Sequence, residues 1–209
     1  QYRGVLELID ELKARGINPF GAVVAEPTEL RLVRANKGVL RFRILAEGRA
    51  AHSSQPHLGV SAIEGMARVI QSIREDSQRL DQNTHPLLGS ATCSVGTISG
   101  GTQVNLVPDT CVIQVDRRLL PGERVEEVIA DYERLLHSIR TTEPGLHLRI
   151  EHPTLADEAM ETSADESIVR YLSEVLSSVE LNPEPVGVPF GCDCSKLSRA
   201  GIPSVIFGP

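Results

Sequence analysis

Three polar residues between positions 48 and 118 have the types and settings that binding of an anionic ligand requires. His52 lies in a loop of small residues, Asn105 follows a glycine pair, and Arg118 ends a predicted strand. An imidazole N–H in such a loop suits an oxyanion, and a planar guanidinium binds a carboxylate through two parallel N–H groups. The alternatives are a loop histidine bonded to backbone, an ordinary turn asparagine and a solvent-facing strand end.

Glu26 is the fourth candidate, because it stands between the apolar run 22–25 and a proline. This setting predicts a buried strand that delivers the carboxylate to its C-terminal end, where open α/β sheets bind ligands. The oxygens of Glu26 suit Zn, Mg or Mn, but one carboxylate is weak evidence for a metal site. The alternative is a strand-end carboxylate that caps a turn.

The segment Gly191–Ser195 has a Cys-x-Cys pattern that also suggests a metal site. Without a second cysteine pair this signal is weak, so a short helix capped by Asp193 and ending at Gly201 is favoured. The other five histidines have no partner at ligand spacing and are interpreted as solvated or structural. A Ser-His-Asp triad stays open, although no nucleophile-elbow motif is present.

The helices and strands that must position these residues follow two patterns, one in the middle of the chain and another in its two flanks. From Val39 to Glu151 the order is strand, helix, strand, strand, helix, strand, which predicts the ferredoxin-like βαββαβ unit. Its helices are predicted to begin at the Ser61/Glu64 capping box and at Glu123, with a polar loop at 79–89 after the first of them. The flanks carry helices at 5–15 and after a second capping box, Ser163/Glu166, and buried strands at 22–25 and 204–207, an α/β pattern. The predicted fold class is therefore α/β, with a split, incomplete α/β domain of residues 1–36 and 154–209 around an inserted domain of residues 37–153.

Composition restricts the function. The chain has 209 residues, a net charge of -7, 41% hydrophobic residues and only 3% aromatic residues. The negative charge argues against nucleic acid as the partner, and no apolar run is long enough to span a bilayer. Four cysteines and no recognisable signal peptide predict a reducing, cytoplasmic setting.

Several short motifs in order resemble one family, the di-zinc aminoacylases and carboxypeptidases. This family includes acetylornithine deacetylase, succinyl-diaminopimelate desuccinylase and glutamate carboxypeptidase. The resemblance covers nearly the whole chain in the family's order. The matching stretches are Ala25–Thr28, Gly48–Ser54, Gly59–Ala62, Gly100–Thr102 with Asn105 and Pro108, Asp116–Arg118, Pro121–Glu123, Gly191–Asp193, Gly201–Pro203 and Phe207–Pro209.

The resemblance implies a zinc-peptidase-type catalytic domain, an inserted lid or dimerisation domain, and a homodimer. It implies that Glu26 binds one of two zinc ions, for which cobalt can substitute. It also implies that His52 crosses the dimer to stabilise the tetrahedral intermediate. Asn105, Arg118 and Gly191 would bind or lie beside the substrate, an N-acyl amino acid or small peptide. Zinc would lower the pKa of a bound water, and a glutamate would take its proton.

The sequence departs from the family pattern in its metal ligands. The family's His-x-Asp motif, bridging aspartate, Glu-Glu pair and final histidine are absent, and Cys192 and Cys194 replace the usual threonine and small residue. The zinc site is therefore expected to be incomplete or empty, and this polypeptide alone is expected to be inactive. The alternative function is a non-catalytic dimerisation or ligand-binding module built on the ferredoxin-like unit.

Overall fold

The computed structural model describes residues 2–209. Five α-helices occur in this part of the chain: α1 (Arg3–Ala14), α2 (Ala62–Leu80), α3 (Val125–Thr142), α4 (Ser167–Ser178) and α5 (Cys194–Arg199). The strands in the first half are β1 (Ala22–Val24), β2 (Val33–Asn36), β3 (Gly38–Glu47), β4 (Ala51–His52), β5 (Thr84–His85), β6 (Gly89–Ser90), β7 (Thr92–Gly100) and β8 (Leu106–Val107). Those in the second half are β9 (Thr110–Leu119), β10 (His147–Ile150), β11 (Leu155–Asp157), β12 (Met160–Glu161), β13 (Val186–Val188) and β14 (Ser204–Ile206).

The antiparallel sheet has the order β10–β3–β9–β7, with β11 also paired to β3. Its long strands and the helices α2 and α3 follow one another as βαββαβ, as the sequence predicts. Alternate residues of β3 and β9 face the helices and form the largest core, which includes Leu40, Phe42 and Ile113. Each fully buried side chain of this size contributes about 1.5–3 kcal/mol relative to exposure. The opposite face carries most of the charged residues of the same strands, among them Arg41, Asp116 and Arg118, whereas Arg117 lies on the helix-facing side.

The mixed sheet has the order β1–β14–β2–β12, with β13 beside β2. Its strands come from residues 22–36 and 160–206, on both sides of the antiparallel sheet in sequence. The chain passes between the two sheets at Lys37 and again between β11 and β12. A Cβ on Gly38 would lie 2.5 Å from the nitrogen of Ala159 and from the oxygen of Asp157, so the two crossing segments are in direct backbone contact.

Several local predictions are confirmed. The helix predicted over 5–15 is α1, and Gly16 follows it in the left-handed conformation with φ 65°. Ser61 Oγ accepts a hydrogen bond from the backbone nitrogen of Glu64 at 3.2 Å and begins α2. The strands and helices of the βαββαβ unit lie within a few residues of their predicted bounds.

Other local predictions are wrong, for identifiable reasons. The strand at 22–25 is not buried, because β1 is at the edge of the mixed sheet and Val23 is 48% exposed. Ser163 and Glu166 do not form a capping box, since Ser163 Oγ accepts from the nitrogen of Asp165 instead. Asp193 is at the N-cap of α5, but its side chain makes no capping hydrogen bond.

The predicted loop 79–89 contains the end of α2 and a short hairpin, β5–β6. No helix in residues 2–209 has both the length and the apolar character that crossing a membrane requires. The division into domains at residues 36 and 153 stays a prediction.

Candidate functional site

Arg118 belongs to a row of directly opposite residues that runs across the antiparallel sheet. Asp157 on β11 is opposite Val39 on β3, Val39 is opposite Arg118 on β9, and Arg118 is opposite Thr92 on β7. Directly opposite residues in a sheet lie on the same face. Arg118 therefore lies on the face away from the helices, at the end of the sheet where the chain crosses to the mixed sheet.

The loop that contains Gly191 lies against this row. A Cβ on Gly191 would lie 3.7 Å from Cγ1 of Val39, 3.6 Å from the oxygen of Lys37 and 3.8 Å from Oδ2 of Asp157. The side-chain nitrogen of Asn36 also donates to the oxygen of Phe190 at 3.2 Å, which fastens the loop to the crossing. Gly191 and Arg118, predicted separately, are thus brought to the same end of one sheet.

The charged side chains around Arg118 carry a net positive charge. Arg118 Nε donates to Asp116 Oδ1 at 2.7 Å, and Arg41 Nε donates to Asp116 Oδ2 at 2.6 Å, so two guanidinium groups share one carboxylate. Lys37 is buried nearby and donates to the oxygen of Ser90; among residues 2–209 no carboxylate is within ion-pair distance of it. Burial, Arg117 and Arg118 together lower the pKa of Lys37. This surface suits a negatively charged ligand.

Arg117 points to the opposite face from Arg118, because neighbouring residues of a strand alternate between the two faces. It is buried and forms an ion pair with Glu123, whose other oxygen accepts from the nitrogen of Leu120 at 2.6 Å. This arrangement anchors the turn between β9 and α3. Arg117 therefore has a structural role, and only Arg118 of the two arginines is on the candidate binding face.

His52 is exposed in β4, which pairs with β8 in a separate two-stranded sheet beyond the far end of the β3–β9 pairing. The backbone nitrogen of Ser54 donates to Nδ1 of His52 at 3.2 Å, and Ser54 Oγ lies 2.7 Å from the same nitrogen. Because Nδ1 accepts a hydrogen bond, the neutral ring carries its proton on Nε2. No residue in the described range 2–209 bonds Nε2, so it remains a donor for an oxyanion.

Asn105 lies close to His52 in the β4–β8 region. Its backbone oxygen accepts from the nitrogen of Ser53 at 2.9 Å, and Leu106 is opposite His52 in the β4–β8 pair. The side chain of Asn105 is exposed on the same loop cluster. The structure therefore brings His52 and Asn105 together, as a second set distinct from Arg118 and Gly191.

The two sets are far apart within one chain. Arg118 is opposite Val39, whereas the β4–β8 pair follows the other end of the β3–β9 ladder, beyond Glu47 opposite Thr110. Eight residues of strand separate Val39 from Glu47, which is about 26 Å at 3.3 Å per residue. One small substrate cannot contact His52 and Arg118 of the same chain.

Glu26 lies on the mixed sheet, just past the end of β1. Strands β1 and β14 are parallel, so the segments that follow them, at Glu26 and Gly208, meet at the same edge. A Cβ on Gly208 would lie 2.5 Å from the backbone oxygen of Glu26. Glu26 thus lies at the end of the mixed sheet, beside Gly208.

The thiols of Cys192 and Cys194 are free, and Cys194 Sγ donates to the backbone oxygen of Val205 at 3.4 Å. The proximity of the two thiols lowers the pKa of Cys192 and raises that of Cys194. In the part of the chain that the structure describes, no three His, Cys, Asp or Glu side chains are grouped so as to hold a metal ion. Glu26 is a single carboxylate, whereas catalytic zinc has three protein ligands. These residues alone do not fit a complete metal site.

Sequence reasoning missed Lys37 and Asp157. Lys37 was only the first residue of a predicted domain, and Asp157 occurs in an Ala-Asp-Glu-Ala segment without a recognisable motif. The positions of Lys37 and Asp157 depend on how the chain crosses between the two sheets. The only local sign of this crossing in the sequence is Gly38, where close backbone contacts leave no room for a side chain.

Residues 34–140 match the M20 peptidase dimerisation domain family. The chain is 33% identical over 196 residues to acetylornithine deacetylase of Myxococcus xanthus, covering 90% of this chain and 49% of the relative. It is 39% identical over 105 residues to a probable carboxypeptidase of Aspergillus flavus, covering 48% of this chain and 25% of the relative. The chain thus spans about half the length of the deacetylase it matches.

Solved structures share the fold. An aminopeptidase, PepT, from Bacillus cereus superimposes with a TM-score of 0.78 at 21% identity, over 99% of this chain and 53% of the other. A tripeptidase from Staphylococcus aureus gives a TM-score of 0.74 at 20% identity, over 96% of this chain and 51% of the other.

Proposed function

Because this chain belongs to the M20 peptidase family through its dimerisation domain, we propose that it is part of a metal-dependent amidohydrolase. The bond cleaved is the amide of an N-acyl amino acid or a small peptide. The observation that carries this proposal is the placement of Gly191 against Val39, beside Arg118 in the same row. The names of the related deacetylase and carboxypeptidase support the same chemistry.

Arg118 is proposed to bind the carboxylate of the substrate. It is partly exposed, and it shares Asp116 with Arg41, so it retains N–H groups for a second carboxylate. A charge-assisted, two-point contact of this kind fixes orientation as well as affinity. Gly191 leaves space over Val39 for the rest of the substrate, because no side chain of its own occupies that position.

Glu26 is proposed to supply one ligand to the catalytic metal, for which we expect Zn²⁺, with Co²⁺ as a substitute. When bound, such an ion polarises the amide carbonyl and lowers the pKa of water. Since residues 2–209 contain no complete metal site, the remaining ligands have to come from outside them. The polypeptide of 209 residues is accordingly proposed to be inactive by itself.

The enzyme is proposed to be a homodimer whose sites are shared between subunits. The matched domain family is a peptidase dimerisation domain, and β7 is an edge strand with its outer side unpaired in the described sheet. The exposed apolar residues Ile98 and Val104 lie on β7 and the loop after it. Because the paired strand segment that separates Arg118 from the β4–β8 pair is about 26 Å long, His52 of the partner subunit would complete each site and donate Nε2–H to the oxyanion.

The proposal is tested by assaying the full-length protein against N-acetyl and N-succinyl amino acids and small peptides. We expect amine release that is lost after chelation and restored by Zn²⁺. Glu26→Gln should reduce metal content and turnover, whereas Glu29→Gln, a nearby exposed carboxylate, should change neither. Absence of hydrolysis by a folded, metal-loaded dimer would refute the proposal and favour the non-catalytic dimerisation or ligand-binding module.

A further inference from the structure

Asp157 is a buried carboxylate that the proposed chemistry does not use. Its side chain is 0% exposed. Oδ1 accepts a hydrogen bond from Ser195 Oγ at 2.5 Å and pairs with Nζ of Lys196. Oδ2 accepts no hydrogen bond of ordinary geometry among residues 2–209 and lies 3.8 Å from where a Cβ of Gly191 would be. The Tyr2 hydroxyl is the nearby polar neighbour: burial first, and then Asp157, raise the pKa of Tyr2 to about 12.

The partners of Asp157 belong to a different sheet. Asp157 is held by β11, which pairs with β3 of the antiparallel sheet. Ser195 and Lys196 lie in the first turn of α5, which packs against β14 and β12 of the mixed sheet. This contact, called the Asp157 clasp below, therefore joins the antiparallel sheet to the helix directly after the Gly191 loop.

A clasp of this kind contributes little net stability. Removing two charges from water is costly, and well-packed apolar residues of similar volume often stabilise a fold equally well. The cost is higher here because one carboxylate oxygen accepts no hydrogen bond of ordinary geometry. What the ion pair provides, and an apolar contact does not, is a directional constraint on the position of α5.

The geometry points to Asp157 as a positioning residue that holds the loop 190–193 over Val39, so that Gly191 keeps a fixed distance from Arg118. Asp157, Val39 and Arg118 are consecutive members of one row, about 5 Å apart from strand to strand. Through Ser195 and Lys196, the same row also fixes the start of α5. The assignment of Gly191 and Arg118 to the substrate rests on the proposed function; the clasp itself does not.

The test is hydrogen–deuterium exchange of the full-length protein carrying Asp157→Asn. The informative amides are those of Ser195 and Lys196, which donate to the oxygens of Cys192 and Asp193 at 3.4 and 3.0 Å. We expect these amides to exchange at least about tenfold faster than in the wild type, while those of β9 are unchanged. Glu158→Gln is the matched control, because it removes a more exposed ion pair with Arg199 on the same helix. It should leave amide exchange unchanged both at Ser195 and Lys196 and in β9.

The inference would be overturned if the backbone amides of residues 192–197 exchanged at the wild-type rate in Asp157→Asn. It would also be overturned if amide exchange were accelerated equally throughout the chain. If Asp157→Asn does not fold, Lys196→Met breaks the clasp from the other side and should give the same local acceleration. In an active enzyme, either variant should raise KM with little change in kcat. The exchange measurement does not require turnover, so failure of the proposed hydrolysis would leave the test of the clasp intact.

Discussion

Arg118 lies near one end of the β3–β9 ladder, and His52 lies just beyond the other end. Arg118 is opposite Val39 at one end of the β3–β9 pairing, and the β4 strand that carries His52 follows Glu47 at the other. The paired segment between them is about 26 Å long. Two residues expected to act on one substrate are thus separated by the length of the sheet in a single chain, which makes a shared, two-subunit site the central claim of this account.

Arg118→Ala should weaken substrate binding in the full-length enzyme. Loss of a charge-assisted contact to a carboxylate costs about 1.5–3 kcal/mol, so we expect KM to rise about 10- to 100-fold with a smaller change in kcat. Steady-state kinetics on the best substrate measure this. Arg43 lies on the neighbouring strand β3, on the same face of the sheet but further from the candidate site, and pairs with Glu151. Arg43→Ala should therefore leave KM unchanged. Equal effects of the two variants would contradict the role of Arg118.

Gly38→Ala should destabilise the crossing between the two sheets. The added methyl group would lie 2.5 Å from backbone atoms of Asp157 and Ala159, which cannot move without separating the crossing segments. We expect a loss of about 1–3 kcal/mol or more in the free energy of unfolding by urea. Gly4→Ala is the control, since no atom lies within 4 Å of the new methyl group and alanine favours α1. A loss in Gly4→Ala as large as in Gly38→Ala would argue against this explanation.

Glu161 should make stability depend on pH. Burial acts to raise the pKa of Glu161, but hydrogen bonds from His85 and Arg34 outweigh it and lower the pKa below 4.5. Because the folded-state pKa is the lower one, the stabilisation is present above the ordinary pKa and is lost as pH falls through the folded-state value. Wild type and Glu161→Gln should therefore differ most above the ordinary pKa and converge in acid. A difference independent of pH, or one equally large in Glu184→Gln, would contradict the assignment.

The antiparallel sheet could be predicted from the sequence because its elements carry local signals. Alternating residues in β3 and β9, the Ser61 cap and the long apolar stripes of α2 and α3 all specify the same βαββαβ order. The opposite orientation of Arg117 and Arg118 follows from the two-residue period of a strand. These features depend only on neighbours in sequence.

The rest depends on contacts between distant segments. The exposure of Val23 reflects the edge position of β1, and the burial of Asp157 reflects its meeting with α5. Neither follows from local pattern. The sequence did predict Glu26, His52, Asn105, Arg118 and Gly191 as candidates, but their division into two groups appears only when the register of β3, β9 and β8 is known.

Mixing two inactive variants tests the shared site most directly. His52→Ala and Arg118→Ala dimers of the full-length protein are prepared separately, assayed, then dissociated and reassociated together. If His52 of the partner subunit completes each site, half of the randomly formed dimers are mixed and each has one intact site of two, so activity should recover to about a quarter of the wild-type value. No recovery, with mixed dimers demonstrated by mass, would contradict the account and place both residues in the same subunit's site.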